Sequence, residues 1–169
     1  MKTKEIVICG IITALLCVFG PIGIPVAGIP ITLTTLIIYI AAFVFDPRIS
    51  LTSVAIYIVL GCFGLPVFSG FAGGITHLIG PSGGFVVGYI PLVISVSLLK
   101  NSNPKSLIGI IIGTALLYLF GLIGYKMYTD QSVTTLLSVC VLPFLPGDIV
   151  KIILSLIISP KFKRIMCKK

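Results

Sequence analysis

LIGIIIGTALLYLFGLIGY, Leu107 to Tyr125, runs for nineteen residues without a charge. A helix needs about 20 apolar residues to cross the ~30 Å hydrocarbon core of a bilayer, so the length fits one crossing. Inside lipid every backbone N–H and C=O must be paired within the chain, which makes a single run of this kind helical. The same pattern recurs on both sides. Charged residues and Pro/Gly clusters divide the chain into six apolar segments: Ile6–Phe19, Ile31–Phe45, Ile49 to the Gly61–Pro66 region, Gly83–Leu99, Leu107–Tyr125 and Leu136–Ile158, the last interrupted by PFLPGD. The expected fold is an all-α membrane protein, a compact bundle of six transmembrane helices forming one integral membrane domain over residues 1–169. Segments shorter than a perpendicular span are accommodated by local thinning or by helix packing.

Composition supports that class. The chain has a mean hydropathy of +1.24, with 57% hydrophobic and 9% charged residues, against about 25% charged in a soluble domain. A net charge of +8 would point to nucleic acid in a soluble protein. Here most Lys and Arg sit in short hydrophilic breaks or at the C-terminus, where they orient membrane segments, so a nucleic-acid partner is excluded. Lys2 and Lys4 before Ile6–Phe19 imitate a secretory signal, but no A-x-A site follows and more long apolar runs do, so a first membrane helix is the better reading. The five cysteines form no CxxC pair and four lie in apolar runs. They read as small buried hydrophobes, without a disulfide framework or a metal site.

Orientation follows from the basic residues. With six helices and both termini inside, the inner set is Lys2, Lys4, Arg48, Lys100, Lys105, Lys161, Lys163, Arg164, Lys168 and Lys169, and the outer loops hold only Lys126. That asymmetry is a strong positive-inside signal. It places the chain in the cell membrane, multi-pass, with both termini cytoplasmic. The turn-rich stretch GPIGIPVAGIP (Gly20–Pro30), the Gly-rich stretch Gly61–Gly88 and VLPFLPGD then share the outer side.

One motif conflicts with its apolar setting. PGDIVK, Pro146 to Lys151, carries Asp148 and Lys151 three residues apart, on nearly one face of a helix. An ionised Asp or Lys at mid-bilayer costs about 2.5–3.5 kcal/mol on translocon scales. The bland reading is a self-neutralising pair near the interface, or Asp148 as a helix cap. The functional reading is a ligand site in which Asp148 accepts from a ligand N–H and Lys151 attracts an anionic group, both through charge-assisted bonds. In GPSGGFVVG, Gly80 to Gly88, the glycines fit either close helix packing or a loop whose backbone nears a ligand, with Ser82, Gly83 and Gly84 at its centre. It is not a Walker A loop, and the chain has none. His77, the only histidine, cannot assemble a metal site alone and reads as a loop hydrogen-bonding group or a ligand contact. Tyr89 follows the Gly-rich motif and is a candidate pocket wall. Gly10 and Ala14 form a small-xxx-small pair, which serves either internal helix packing or a docking face for a partner membrane protein. Four acidic residues and no Ser/His/Asp or Cys/His arrangement argue against an enzyme.

The pattern VFSGFAGGITHLIGPSGGFVVGY, Val67 to Tyr89, followed by PGDIVK, resembles the BioY family. These are the biotin-specific S components of energy-coupling factor (ECF) transporters. The family more often has GPTGG where this chain has GPSGG, a change that keeps the hydroxyl. The resemblance implies a six-helix bundle of the S-component type that binds biotin from outside. It implies delivery through a T component and two cytoplasmic ATPase subunits, with biotin as transported ligand and no cofactor. It assigns Asp148 and Lys151 to the pocket and Ser82, Gly83 and Gly84 to the pocket-forming loop. Gly10 and Ala14 would stand where S components carry the AxxxA pattern that meets the T component. Bare chemistry leaves two alternatives open: an S component for another small anionic vitamin, and a stand-alone facilitator or channel.

The orientation is testable in a cysteine-free background. A thiol reagent confined to the outside should label Ser132→Cys and spare Asn103→Cys; the reverse pattern would overturn it.

Overall fold

The charge-free run Leu107–Tyr125 lies within the longest helix of the chain. The computed structural model describes residues 2–26, 29–100, 103–129 and 132–166. Ala27 and Gly28 of the turn-rich stretch, Asn101 and Ser102 of KNSNPK, Asp130 of the polar break, Cys167, and the inner-set Lys168 and Lys169 lie outside the described residues. In chain order the elements are α1 (Thr3–Phe19), β1 (Gly23–Val26), β2 (Ile29–Thr32), α2 (Thr34–Val44), α3 (Pro47–Cys62), a 3₁₀ turn at Ser69–Phe71, α4 (Ile75–Ile79), α5 (Gly83–Leu98), α6 (Asn103–Tyr128), α7 (Val133–Cys140) and α8 (Leu145–Met166). Among them α1, α2, α3, α5, α6 and α8 are the long helices, one for each expected apolar segment. Helix α6, from Lys105 to Tyr128, is long and apolar enough to cross a membrane, and α2, α3 and α5 are shorter apolar helices.

Two local expectations are corrected. GPIGIPVAGIP is not merely a turn: with Ile31 and Thr32, the first residues of the expected second segment, it forms an antiparallel ribbon in the register Gly23↔Thr32, Ile24↔Ile31, Pro25↔Pro30 and Val26↔Ile29. The two prolines hide it from sequence reading because Pro cannot donate to a ladder, yet a two-stranded ribbon has only edges, where Pro is tolerated. The segment Leu136–Ile158 is two helices, broken between Cys140 and Leu145. Pro146 sits in the first turn of α8, where a missing N–H costs no hydrogen bond. The Asp148 N–H donates to the Phe144 carbonyl at 2.9 Å, so Asp148 stands inside the helix and is not its cap.

Helix association in lipid relies on close van der Waals contact and interhelical hydrogen bonds rather than on expelling water. Helices α5 and α6 show the first, lying along most of each other's length. A Cβ on Gly84 would fall 2.3 Å from the Phe120 carbonyl oxygen, and one on Gly124 would fall 2.7 Å from the Gly84 Cα. Backbone therefore meets backbone at this crossing. The second appears between α2 and α6, where the Tyr39 hydroxyl and Thr114 Oγ1 are 2.7 Å apart, and between α3 and α2, where Ser50 donates to the Ala41 carbonyl at 2.8 Å. The buried residues of α1, Cys9, Ile12, Thr13 and Leu16, recur at helical spacing and face α3 and α2. At the opposite end from the hairpin, Lys100 donates to the Phe45 carbonyl. Burial holds Lys100 below the usual lysine range, with Asp46 opposing and Lys163 adding to the shift.

The α5–α6 crossing gives a direct test. Gly84→Val should destabilise the detergent-purified protein by about 1–3 kcal/mol or more, as overpacking does. Gly10→Val, at an α1 position with open space around it, should leave thermal stability unchanged. Equal stability of the two variants would contradict the crossing geometry.

Candidate ligand-binding site

Helix α8 turns Asp148 and Lys151 inward from its first two turns, and both are buried, at 5% and 7% exposure. Lys151 Nζ lies 3.1 Å from Asp148 Oδ1 and donates to Thr35 Oγ1 of α2 at 3.0 Å. The other carboxylate oxygen, Oδ2, accepts from the Tyr118 hydroxyl of α6 at 2.5 Å. Three helices thus meet at one ion pair. Neither charge is isolated, which matters because an uncompensated buried charge is strongly destabilising. The cluster is also unsaturated. Among the described residues, Lys151 uses two of the three N–H groups of an ammonium, while each Asp148 oxygen accepts one bond and keeps lone-pair capacity.

The pair forms the floor of a pocket that, with its mouth, holds about 580 Å³ of atom-free space. Pro30 and Thr32 of the hairpin and Thr34 and Thr35 at the start of α2 form one side. Ser82, Phe85, Val86 and Tyr89 come from the beginning of α5, and Leu117 and Tyr118 from α6. Phe144 before α8 and Tyr57 of α3 add aromatic walls, and Phe68 and Ser69 close it from the loop after α3. The lining is mostly apolar and aromatic with a few convergent polar groups, the usual make-up of a small-molecule site.

The expected site residues separate into pocket walls and supports. Asp148, Lys151, Ser82 and Tyr89 line the pocket. Gly83 and Gly84 are not among its lining residues. A Cβ on Gly83 would lie 1.7 Å from the Leu78 carbonyl oxygen, and Gly84 faces α6, so both glycines serve close backbone approach. His77 stands behind the wall. Its Nε2 is 2.9 Å from Ser82 Oγ, and its ring stacks on Phe68 with centroids 5.0 Å apart. Burial pushes its pKa below the usual histidine value. Gly10 and Ala14 lie on the exposed face of α1 and are not among the lining residues of this pocket. Sequence reading missed Thr35 and Tyr118 as partners of the ion pair. The available signal was the hydroxyl run Thr32, Thr34, Thr35 and the position of Tyr118 in the middle of a charge-free apolar run.

With this geometry in hand, comparisons identify the lineage. The BioY family model matches residues 1–168. A probable biotin transporter BioY from Pyrococcus horikoshii is 31% identical over 163 residues, covering 96% of this chain and 98% of that protein. The biotin transporter BioY of Thermotoga maritima is 31% identical over 165 residues, covering 96% and 97%. Among solved structures, the S-component for biotin from an ECF-type ABC transporter superposes with a TM-score of 0.84 at 28% identity, over 99% of this chain and 93% of that one. The chain belongs to the BioY family.

The ion pair predicts strong coupling. Asp148→Asn or Lys151→Met alone should destabilise the protein by about 3–5 kcal/mol, since each leaves the other charge unpaired. The double variant should cost clearly less than the sum, read as thermal unfolding in detergent. Additive losses would show that the two charges do not depend on each other.

Proposed function

We propose that this BioY-family membrane protein captures biotin in the pocket above Asp148 and Lys151, as the substrate-binding subunit of an ECF-type transporter. The observation that carries the reading is the buried Asp148–Lys151 pair with spare donor and acceptor capacity inside an apolar, aromatic-walled pocket. Biotin has ureido N–H groups, a fused apolar ring system and a carboxylate on a flexible chain. Asp148 accepts from the ureido N–H groups, Lys151 attracts an anionic group, and Tyr89, Phe68 and Phe144 enclose the apolar part. Thr35 and Tyr118 orient the pair and keep it desolvated without leaving either charge uncompensated. Ser82, held by His77, adds a hydroxyl at the wall, and Gly83 and Gly84 set the backbone that carries Ser82.

The protein has no nucleotide-binding motif of its own, so the energy for release comes from a T component and two cytoplasmic ATPases. Gly10 and Ala14 on the exposed face of α1 supply the small surface on which the T component docks. The reading carries with it six membrane crossings, both termini cytoplasmic, and the pocket opening outward.

Saturable binding of labelled biotin to the detergent-purified protein, competed by unlabelled biotin, is the expected result. Asp148→Asn and Lys151→Met should each weaken it about ten- to a hundredfold, equivalent to ~1.5–3 kcal/mol for a lost charged partner. If both variants stay monodisperse and bind biotin as the parent does, the site assignment fails. If the parent itself binds another small anionic vitamin and not biotin, the ligand assignment fails while the pocket stands.

A further inference from the structure

Between Arg48 and Lys100 the chain contains no Asp, Glu, Lys or Arg. That span includes the whole connection from α3 to α5, with the 3₁₀ turn and α4. The connection turns large apolar side chains outward: Phe63, Phe71, Ile75 and Ile79 are 85%, 69%, 63% and 73% exposed. An exposed apolar patch of this kind marks an interface, and three observations identify what covers it.

The first is continuity. Ile56 and Val59 are exposed on α3, and Phe63 follows them at helical spacing, so the patch extends the lipid-facing stripe of α3 with no polar break. The second is length. Helices α3 and α5 have 16 residues each, about 24 Å of rise, which is short of the ~30 Å core. The charge-free run of α6 measures about 28 Å and ends at Tyr125. Gly84, in the first turn of α5, lies against Phe120 and Gly124 of α6, so α5 starts below that end. Tyr128 shares a surface groove with Thr76, His77 and Ile79. The connection therefore sits level with Tyr125–Tyr128, at the depth where aromatic residues mark the headgroup boundary. The third is that the connection has two working faces: Phe68 and Ser69 line the pocket, whereas Phe71 faces outward.

We infer that the α3–α5 connection is an interfacial lid, seated through Phe63, Phe71, Ile75 and Ile79 in the acyl–headgroup boundary of one leaflet. Its occupant on the outward face is phospholipid, and its inward face is a wall of the pocket. The inference goes beyond the functional reading and holds whichever ligand the pocket takes. It makes the lipid boundary a contact surface of the site itself: the lid supplies the apolar thickness that the short helices lack, and any opening at Phe68 and Ser69 moves side chains through lipid.

The chain has no tryptophan, so single tryptophan replacements report without background. Phe63→Trp and Ile79→Trp, with Ser132→Trp in the polar break as the aqueous reference, are reconstituted in phosphatidylcholine liposomes. Phe63→Trp and Ile79→Trp should each show blue-shifted emission, strong quenching by lipids brominated on the upper acyl chain, and weak quenching by iodide, with the opposite behaviour for Ser132→Trp. Iodide quenching equal to that of Ser132→Trp would put the lid in water and overturn the inference. Quenching by neither agent would mean that protein covers the patch, which overturns it equally. Should the tryptophan variants fail to purify as single species, Ile75→Cys carrying a nitroxide in the cysteine-free chain decides through accessibility to oxygen against a soluble nickel complex. Oxygen contact supports lipid, and nickel contact or contact with neither overturns it.

Discussion

The contact between Lys151 and Asp148, at 3.1 Å, is what the pocket end of the molecule is arranged around. Neither charge is tolerable alone in an apolar bundle, and a carboxylate facing an ammonium still leaves donors and lone pairs unfilled. Thr35 of α2 and Tyr118 of α6 take up part of that remainder, which obliges three helices from distant parts of the chain to converge within hydrogen-bond reach. Such a pair is weak evidence for stability, because apolar replacements of equal volume often serve a fold as well or better. On the function proposed above, the pair is chemistry held ready for a ligand, with the hairpin and the α3–α5 connection covering it.

The rest of the bundle supplies a rigid frame. Gly84 and Gly124 bring the backbones of α5 and α6 together with no room for a side chain, and lipid offers no hydrophobic drive that would tolerate a looser fit. Two residues of the same stretch illustrate how the frame carries the site. Ser82 reaches the pocket at the edge of α5, while Gly83 lets the preceding turn fold back over the helix start against Leu78. His77 then braces Ser82 from one side and Phe68 from the other.

Much of this is legible in the sequence because lipid imposes simple rules. Charge-free runs become helices, so each of the six apolar segments holds one long helix, and the Asp-x-x-Lys motif stands out because charge is costly there. Ser82 and Tyr89 are legible through their position beside the Gly-rich motif. What escapes are features set by pairing between distant segments. The ribbon at Gly23–Thr32 is masked by Pro25 and Pro30, whose strand geometry is tolerated only because the ribbon has no interior. Thr35 and Tyr118 carry only a weak local signal, a hydroxyl set in apolar sequence, since a buried hydroxyl gains its role only when another helix brings a charge to it. Glycine in a sequence offers room for a ligand or room for backbone, and residue type alone cannot say which. At Gly83 and Gly84 the room is taken by backbone.

A short chain that must bury a polar site in lipid faces opposed demands. The site needs cover at its mouth, and cover built from ordinary polar loops would hydrate the pair and weaken every interaction in it. The α3–α5 connection meets both demands with one composition. Because it has no charged residue, its outward side chains Phe63, Phe71, Ile75 and Ile79 continue the apolar surface of helices too short to finish it. Its inward residues Phe68 and Ser69 close the pocket with an aromatic ring and a single hydroxyl. The glycines that interrupt it, among them Gly70 and Gly74 with positive φ, let so short a segment turn sharply enough to present opposite faces to lipid and to ligand. The absence of charge in this region and the presence of charge at Asp148 and Lys151 are thus two sides of one requirement: water must be kept from the pair.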